Sequence, residues 1–378
     1  MINPNLFLNY LNDVGIDFFS GVPDSLLKYF CSAIDDQSST KNHIIAANEG
    51  GALSIGIGYH LSTKKIPLIY LQNSGLGNLI NPLLSLADEN IYSIPALIVV
   101  GWRGHPDFSD EPQHIKQGKI TEKLIKTMGY GYSILGSTTS DEEAVLIVDK
   151  ALEFMLKNNS PYFLLAKPNT FYEFISRKRN FYPEGISRHT VLNELLQQSD
   201  ESHFFVATTG FTSRELNETR ISFEKYHGHD FLTIGGMGHC SQIALGIALS
   251  SPNKNIICID GDGSLLMHMG SLAINASLGC KNFKHLLLNN SAHESVGGQA
   301  TIAGKIDLVG LSRSLGYKFF DRLSDPSKLK NKLSEFLDST GPAFLEVQIS
   351  QGVQKNLSRP NSLPKKSKEI FTKKLNEK

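Results

Sequence analysis

The chain has no excess of either charge. Lys plus Arg and Asp plus Glu each total 37 of its 378 residues, so no long-range field draws in a nucleic acid or an anionic membrane, and any anion it binds must be gripped locally. Cysteine is scarce: Cys31, Cys240, Cys258 and Cys280 stand far apart and make no CxxC pair. That spacing suggests neither a zinc site nor a disulfide framework, and it fits a reducing compartment. No 18 apolar residues run together and no basic stretch precedes an apolar core at the N-terminus, so neither a membrane span nor a secretory signal is expected. The cytoplasm is the expected location. What remains is an ordinary globular composition, 40% apolar and 20% charged, long enough for two or three domains.

Asn3 followed by Pro4 signals a helix start, and Leu6, Phe7, Tyr10, Leu11 and Val14 recur at helical spacing until Gly15. Short apolar runs at 16–19, 43–47, 66–71, 96–100 and 162–166 then alternate with helical segments at 51–61, 79–87 and 142–156. This is a βα rhythm with buried parallel strands. The aromatic, basic stretch 169–185 has no periodicity and reads as a linker. The rhythm restarts with a helix at 189–196. Strands follow near 204–207, 231–234, 256–259, 285–288, 317–320 and 344–347, with helices at 242–248, 265–278 and 326–337 between them. Two tandem open α/β domains with mainly parallel sheets are predicted, 1–180 and 181–378. No short-period repeat is visible. The lysine-rich tail from Pro364 reads as a solvated terminal helix.

Gly261-Asp262-Gly263-Ser264 follows the apolar strand 256–259 and opens a helix. Glycines there let backbone approach a phosphate, the helix start supplies unpaired N–H donors, and the Asp can hold Mg²⁺ against a diphosphate. Alone the motif is an ordinary strand-to-helix turn. One βα unit later, the next strand ends in Asn289-Asn290, which brings an amide oxygen beside that Asp. Glu49 ends an apolar strand and opens a helix rich in small residues; taken alone, it merely favours the helix dipole. Met237, in the loop Gly235-Gly236-Met237-Gly238-His239, is by itself core filler. Thr208-Thr209-Gly210 fits a diphosphate contact, and a capped turn fits it nearly as well.

The GDG and NN strings together resemble the diphosphate–metal motif of thiamine diphosphate enzymes. Longer strings narrow the likeness: Gly21-Val22-Pro23-Asp24-Ser25-Leu26-Leu27, Gln72-Asn73-Ser74-Gly75-Leu76-Gly77-Asn78, Asp110-Glu111-Pro112-Gln113-His114, and 289–299 from Asn289 to Gln299. With 208–216 they resemble the phosphonopyruvate decarboxylases over nearly the whole chain. Sulfopyruvate decarboxylases share much of this but often carry the two domains as separate subunits, so the fused chain favours the phosphonate. The larger decarboxylases have a central third domain for which this chain is too short.

The resemblance implies a thiamine diphosphate-binding fold with thiamine diphosphate and Mg²⁺ as cofactors. Asp262, the Asn290 side chain and the Ala292 carbonyl are the implied metal ligands, and Gly261, Gly263, Ser264 and Thr209 lie at the diphosphate. The Gly235 carbonyl and Met237 hold the cofactor's bent shape. Glu49 is the implied activating acid on the aminopyrimidine, and burial there should keep it protonated. The substrate is a small 2-oxo acid with a second anionic group, decarboxylated to an aldehyde. Arg103, His114, Lys116 and His293 are candidates to grip it, with Arg103 and Lys116 read as lying in a polar loop. Asp24 and Ser25 are candidate proton donors, and His114 joins them as a catalytic candidate. Lys355 and Arg359 remain of a basic segment in which Gln354 and Ser358 depart from the family pattern. Pairing of one chain's pyrimidine-binding domain with another's diphosphate-binding domain implies a homodimer or larger homo-oligomer. A nucleotide-dependent oxidoreductase would want GxGxxG after a first strand, and Gly56 and Gly58 sit inside a helical pattern instead.

Overall fold

The computed structural model describes residues 1–176, 185–354, 357–358 and 362–377. Lys355 and Arg359 therefore lie outside the described residues, as does part of the expected linker. The chain divides into two compact units, Met1–Asn180 with His293–Gln299, and Phe181–Ala292 with Ala300–Lys378.

The first unit holds strands β1 (Phe19–Gly21), β2 (His43–Ile45), β3 (Leu68–Gln72), β4 (Leu97–Gly101), β5 (Gly131–Leu135) and β6 (Tyr162–Ala166). All pair in parallel, in the order β2-β1-β3-β4-β6-β5. Its helices are α1 (Pro4–Asp13), α2 (Lys28–Gln37), α3 (Glu49–Thr63), α4 (Leu76–Pro82), α5 (Pro112–Thr127) and α6 (Asp141–Asn158). Helix α1 starts as expected: the Asn3 side chain accepts from the N–H groups of Asn5 and Leu6, and Pro4 takes the first helical position, where no N–H is needed. Alternation along the strands builds two cores. Leu68, Tyr70, Leu97, Val99 and Leu164 pack against α1, α2 and α6. Ile69, Leu71, Ile98, Val100, Phe163 and Leu165 pack against α3, α4 and α5. Both sheet faces are covered, as parallel strands require.

The second unit holds β7 (His203–Ala207), β8 (Asp230–Leu232), β9 (Asn255–Gly261), β10 (Phe283–Asn289), β11 (Phe319–Leu323) and β12 (Ala343–Gln348). Its helices are α7 (Arg188–Gln198), α8 (Phe211–Phe223), α9 (Cys240–Ser250), α10 (Asp262–Met267), α11 (Ser271–Ser277), α12 (Leu308–Leu315), α13 (Leu329–Asp338) and α14 (Pro364–Leu375). The sheet is again wholly parallel, ordered β11-β12-β10-β9-β7-β8. Read from β8, this is the strand order of the first unit, so the two halves share one topology. In each, the order reverses between the first and third strands, and the loops leaving those strands diverge to open a crevice at their carboxyl ends.

The structure differs from the sequence reading in several local places. The expected helix 79–87 starts earlier, and Pro82, which lacks an N–H, hands it to a π-helical turn at Leu83–Ala87. The expected helix 265–278 breaks into α10 and α11 where His268 leaves helical dihedrals. Lys116 lies on α5, not in a loop, because Pro112 starts a helix directly after Glu111. Helices α2, α8 and α12 and the half-exposed edge strand β5 were not anticipated.

Phe163 is fully buried in the second core of the first unit. Phe163→Ala is expected to cost roughly 3–5 kcal/mol, read as a lower urea midpoint with an unchanged slope.

Candidate active site

In the first unit the chemistry-bearing residues gather in the loops that leave β1 to β4. Asp24 follows the Gly21-Val22-Pro23 turn and is fully buried. Its Oδ2 accepts the N–H groups of Leu26 at 3.0 Å and Leu27 at 3.3 Å, while Oδ1 finds no partner among the described residues. Burial pushes its acid up to about 6, against the pull of nearby Arg103. The close packing needs Gly101 at the end of β4, because a Cβ there would overlap Asp24 Oδ2.

Arg103 is held tightly. Its Nε and Nη2 donate to the two oxygens of Asp110 at 2.8 and 2.5 Å, and Nη1 donates to Ser25 Oγ at 2.9 Å. Asp110 also accepts from the N–H groups of Gly104 and Glu111. Burial would raise this carboxyl, but Arg103 and Gly104 hold it below the usual range. Asn73, after β3, steadies the same loop by donating to the Arg103 carbonyl at 2.8 Å and to Thr121 Oγ1 at 2.9 Å. His114 stands in the first turn of α5; burial and then Arg103 lower its pKa to about 4, so it is neutral at pH 7. Asp24, Ser25, Arg103, Asp110 and His114 thus form one cluster. Lys116, exposed on α5, is not brought into it by any hydrogen bond or ion pair among the described residues.

Glu49 opens α3 behind Asn48, whose side chain caps the helix by accepting the Gly51 N–H at 2.9 Å. The acid is 4% exposed, its Oε2 accepts from Asn78 Nδ2 at 2.8 Å, and burial raises its pKa. A Cβ on Gly75 would overlap its other oxygen. Asn78 and Gly75 both belong to the string 72–78, yet their contact with Glu49 is visible only in the fold.

In the second unit Asp262 is buried at the carboxyl end of β9. Burial lifts its acid to about 6, opposed by a hydrogen bond from Thr301 Oγ1 to Oδ2 and by backbone N–H groups that include that of Asn290. The GDG and NN turns therefore meet, as their spacing predicts. Asn290 Oδ1 accepts the Ala292 N–H at 3.1 Å, and Ser291 between them takes a left-handed backbone. Thr301 is a partner the sequence reading missed; nothing in its neighbourhood marks it, because the antiparallel bridge between Ala292 and Ala300 is what brings it back to Asp262. Ser264 Oγ joins three loops, accepting from Thr208 Oγ1 and from the Gly238 N–H at 3.0 Å each. Gly235 and Met237 are half-buried in the β8 loop, and Thr209 is half-buried after β7. His293 falls in the segment grouped with the first unit, and burial lowers its pKa to about 4.

The Asp262 carboxylate and the Asn289-Asn290 turn that meets it offer oxygen donors, which suits a hard cation such as Mg²⁺. The protonated-leaning Glu49 suits a group that must receive a hydrogen bond from an acid. Residues 4–125 match the thiamine pyrophosphate enzyme N-terminal TPP binding domain, and residues 209–347 match the C-terminal TPP binding domain. A phosphonopyruvate decarboxylase from Streptomyces hygroscopicus is 31% identical over 96% of this chain and 92% of its own. The chain belongs to the phosphonopyruvate decarboxylase family of thiamine pyrophosphate enzymes. A phosphonopyruvate decarboxylase from Streptomyces viridochromogenes is 30% identical over 94% of this chain and 90% of its own. A sulfopyruvate decarboxylase from Methanosarcina acetivorans is 26% identical over 96% and 94%. That relative aligns with both halves of this chain, so fusion of the halves does not by itself separate phosphonate from sulfonate family members; the higher identity to the phosphonate enzymes does that work.

Gly75→Ala is expected to displace Glu49 while leaving the sheet intact, seen as an unchanged far-ultraviolet spectrum with at least a tenfold loss of catalysis. For Asp24 the raised acid means the folded state holds the proton more tightly than the unfolded chain. Its stabilising contribution is complete below about pH 4 and is lost as pH rises through about 6. Asp24→Asn should therefore gain stability over the native chain at pH 8 relative to pH 4, and equal urea midpoint differences at the two pH values would contradict it.

Proposed function

We propose that this chain decarboxylates 3-phosphonopyruvate to phosphonoacetaldehyde and carbon dioxide, using thiamine diphosphate and Mg²⁺, in the cytoplasm. The observation that carries this reading is the 31% identity to a phosphonopyruvate decarboxylase over 96% of the chain. It is supported by a buried Glu49 whose pKa burial raises in one unit and by the meeting of the Asp262 carboxylate with the Asn289-Asn290 turn in the other. In this reading residues 1–180 bind the aminopyrimidine and residues 181–378 bind the diphosphate.

Bound thiamine diphosphate supplies the carbanion that adds to a 2-oxo group and the electron sink for loss of carbon dioxide. The chain's own residues do the rest. Glu49, whose pKa burial raises, would share a proton with a ring nitrogen, while Asn78 fixes the carboxyl's orientation. Asp262, Asn290 Oδ1 and the Ala292 carbonyl would hold Mg²⁺. The backbone N–H groups of Gly263 and Ser264, with Thr209, would face the diphosphate, whereas the Gly261 N–H already donates to Asp260 Oδ1 at 2.9 Å. The Ser264 hydroxyl braces the β7 and β8 loops as an acceptor, which leaves its own O–H free to donate to the diphosphate. The Gly235 carbonyl and Met237 hold the cofactor bent.

Arg103 has used three of its five N–H donors on Asp110 and Ser25. The remaining two, with neutral His114 as a hydrogen-bond donor and with His293, meet the substrate's second acid group. Lys116 serves only as a peripheral charge that attracts the dianion. Asp24, whose pKa burial raises to about 6 and whose Oδ1 has no partner among the described residues, is the acid that would return a proton when the aldehyde is released, with Ser25 beside it. A homodimer is the least assembly, with Glu49 and Asp262 of one site drawn from two chains. A sulfonate-bearing substrate is the second reading, favoured by the 26% identity to a sulfopyruvate decarboxylase along almost the whole chain.

Carbon dioxide release is to be measured with thiamine diphosphate and Mg²⁺ on 3-phosphonopyruvate, 3-sulfopyruvate and pyruvate in parallel. Turnover of the phosphonate well above the others is expected; preference for the sulfonate moves the chain to the sister activity, and no release from any of the three refutes the proposal. Glu49→Gln should retain the cofactor through gel filtration yet lose roughly 10²-fold or more in turnover.

A further inference from the structure

Cys240 and Cys258 are unremarkable in sequence, but the fold brings them together in the second unit. Cys240 is the first residue of α9 and Cys258 lies within β9, and their sulfurs stand 3.7 Å apart. Asp260, two residues further along the same face of β9, places a carboxylate oxygen within 4.8 Å of both sulfurs. All three residues are at most 1% exposed. Beyond them His285, on the paired strand β10, sets Nε2 at 3.4 Å from Asp260 Oδ2, yet neither of its ring nitrogens makes a hydrogen bond among the described residues. A wholly buried imidazole with both nitrogens unpaired asks for a partner that protein atoms do not supply.

We propose that Cys240, Cys258 and Asp260 form a buried site for a borderline-soft divalent cation of the zinc class, separate from the oxygen-donor site at Asp262. The sulfur spacing matches the edge of a tetrahedral site, roughly 3.8 Å when metal–sulfur distances are about 2.3 Å. It is far longer than a disulfide, at about 2.05 Å. Two thiolates with a carboxylate select zinc-class ions over Mg²⁺, which keeps to oxygen donors. On binding, the two thiol protons pass to solvent and the sulfur lone pairs form the bonds to the ion. Burial raises both thiols, so the thiolates form only with a bound cation, and the N-terminal position of Cys240 on an eleven-residue helix offsets part of that cost. His285 stands behind the ligating carboxylate, with Nε2 3.4 Å from Asp260 Oδ2, where it can orient that group. Because Asp260 precedes Asp262 by two residues, an ion here anchors the strand end that carries the second unit's oxygen-donor site.

The test uses full-length protein purified without chelator or metal-affinity resin, beside Cys258→Val and Cys240→Ala. Elemental analysis after dialysis against EDTA should find one zinc-class ion per native chain and a loss of at least tenfold in both variants. Protein produced with Co²⁺ should show a thiolate-to-metal absorption band in the near ultraviolet, a readout independent of decarboxylation that needs no variant to fold. Native protein carrying no more metal than the variants and lacking the Co²⁺ band overturns the proposal. Recovery of Cys240 and Cys258 as a disulfide from freshly purified native protein overturns it as well.

Discussion

Buried parallel strands constrain everything else in this protein. Both faces of each sheet are covered by helices, so the side chains along β3, β4, β9 and β10 are buried and mostly apolar, with Lys284, Asp260 and His285 as polar exceptions. The candidate catalytic groups gather at the carboxyl ends, where the loops leave the sheet. Asp24, Glu49, Arg103, Asp262 and Asn290 all emerge there, from loops rigidly braced by the sheet beneath.

That confinement sets the electrostatics. A carboxyl at a strand end is already desolvated, which explains why Asp24, Glu49 and Asp262 all lean towards the protonated form. Glycines at 75 and 101 permit it, because a Cβ at either would fill the space the acid occupies. Arg103 escapes the same penalty through its two-pronged bond to Asp110, which leaves the cluster with little net charge of its own. A dianionic substrate would thus meet directed donors more than a strong positive field, in keeping with the balanced charge of the whole chain.

The shared strand order of the two units gives one scaffold two different chemistries. At equivalent strand ends the first unit carries acids and an arginine, and the second carries an oxygen-donor set with glycine turns. The difference lies in the loops alone, since the cores of both are built from the same alternation of aliphatic and aromatic side chains.

Much of this was legible beforehand. The βα rhythm, the parallel sheets and the meeting of Gly261-Asp262-Gly263 with Asn289-Asn290 are properties of local pattern and of one βα unit's length, and these a linear chain carries on its face. Residue chemistry likewise marked Glu49 and Asp262 as acids worth noting. Contacts that close over longer separations were not legible: Asn78 on Glu49, Ser25 on Arg103, Thr301 on Asp262, and Cys240 against Cys258 and Asp260. The common topology of the halves was hidden too, because strand order is a matter of which neighbours pair and leaves no periodic trace. The sequence by itself determined which strands are buried and which turns carry glycine and carboxyl groups, since hydrophobic periodicity and backbone freedom act locally. Only the tertiary structure decided which of those groups share a hydrogen bond and which acids keep their protons, because desolvation and pairing depend on neighbours that the chain brings together only by folding.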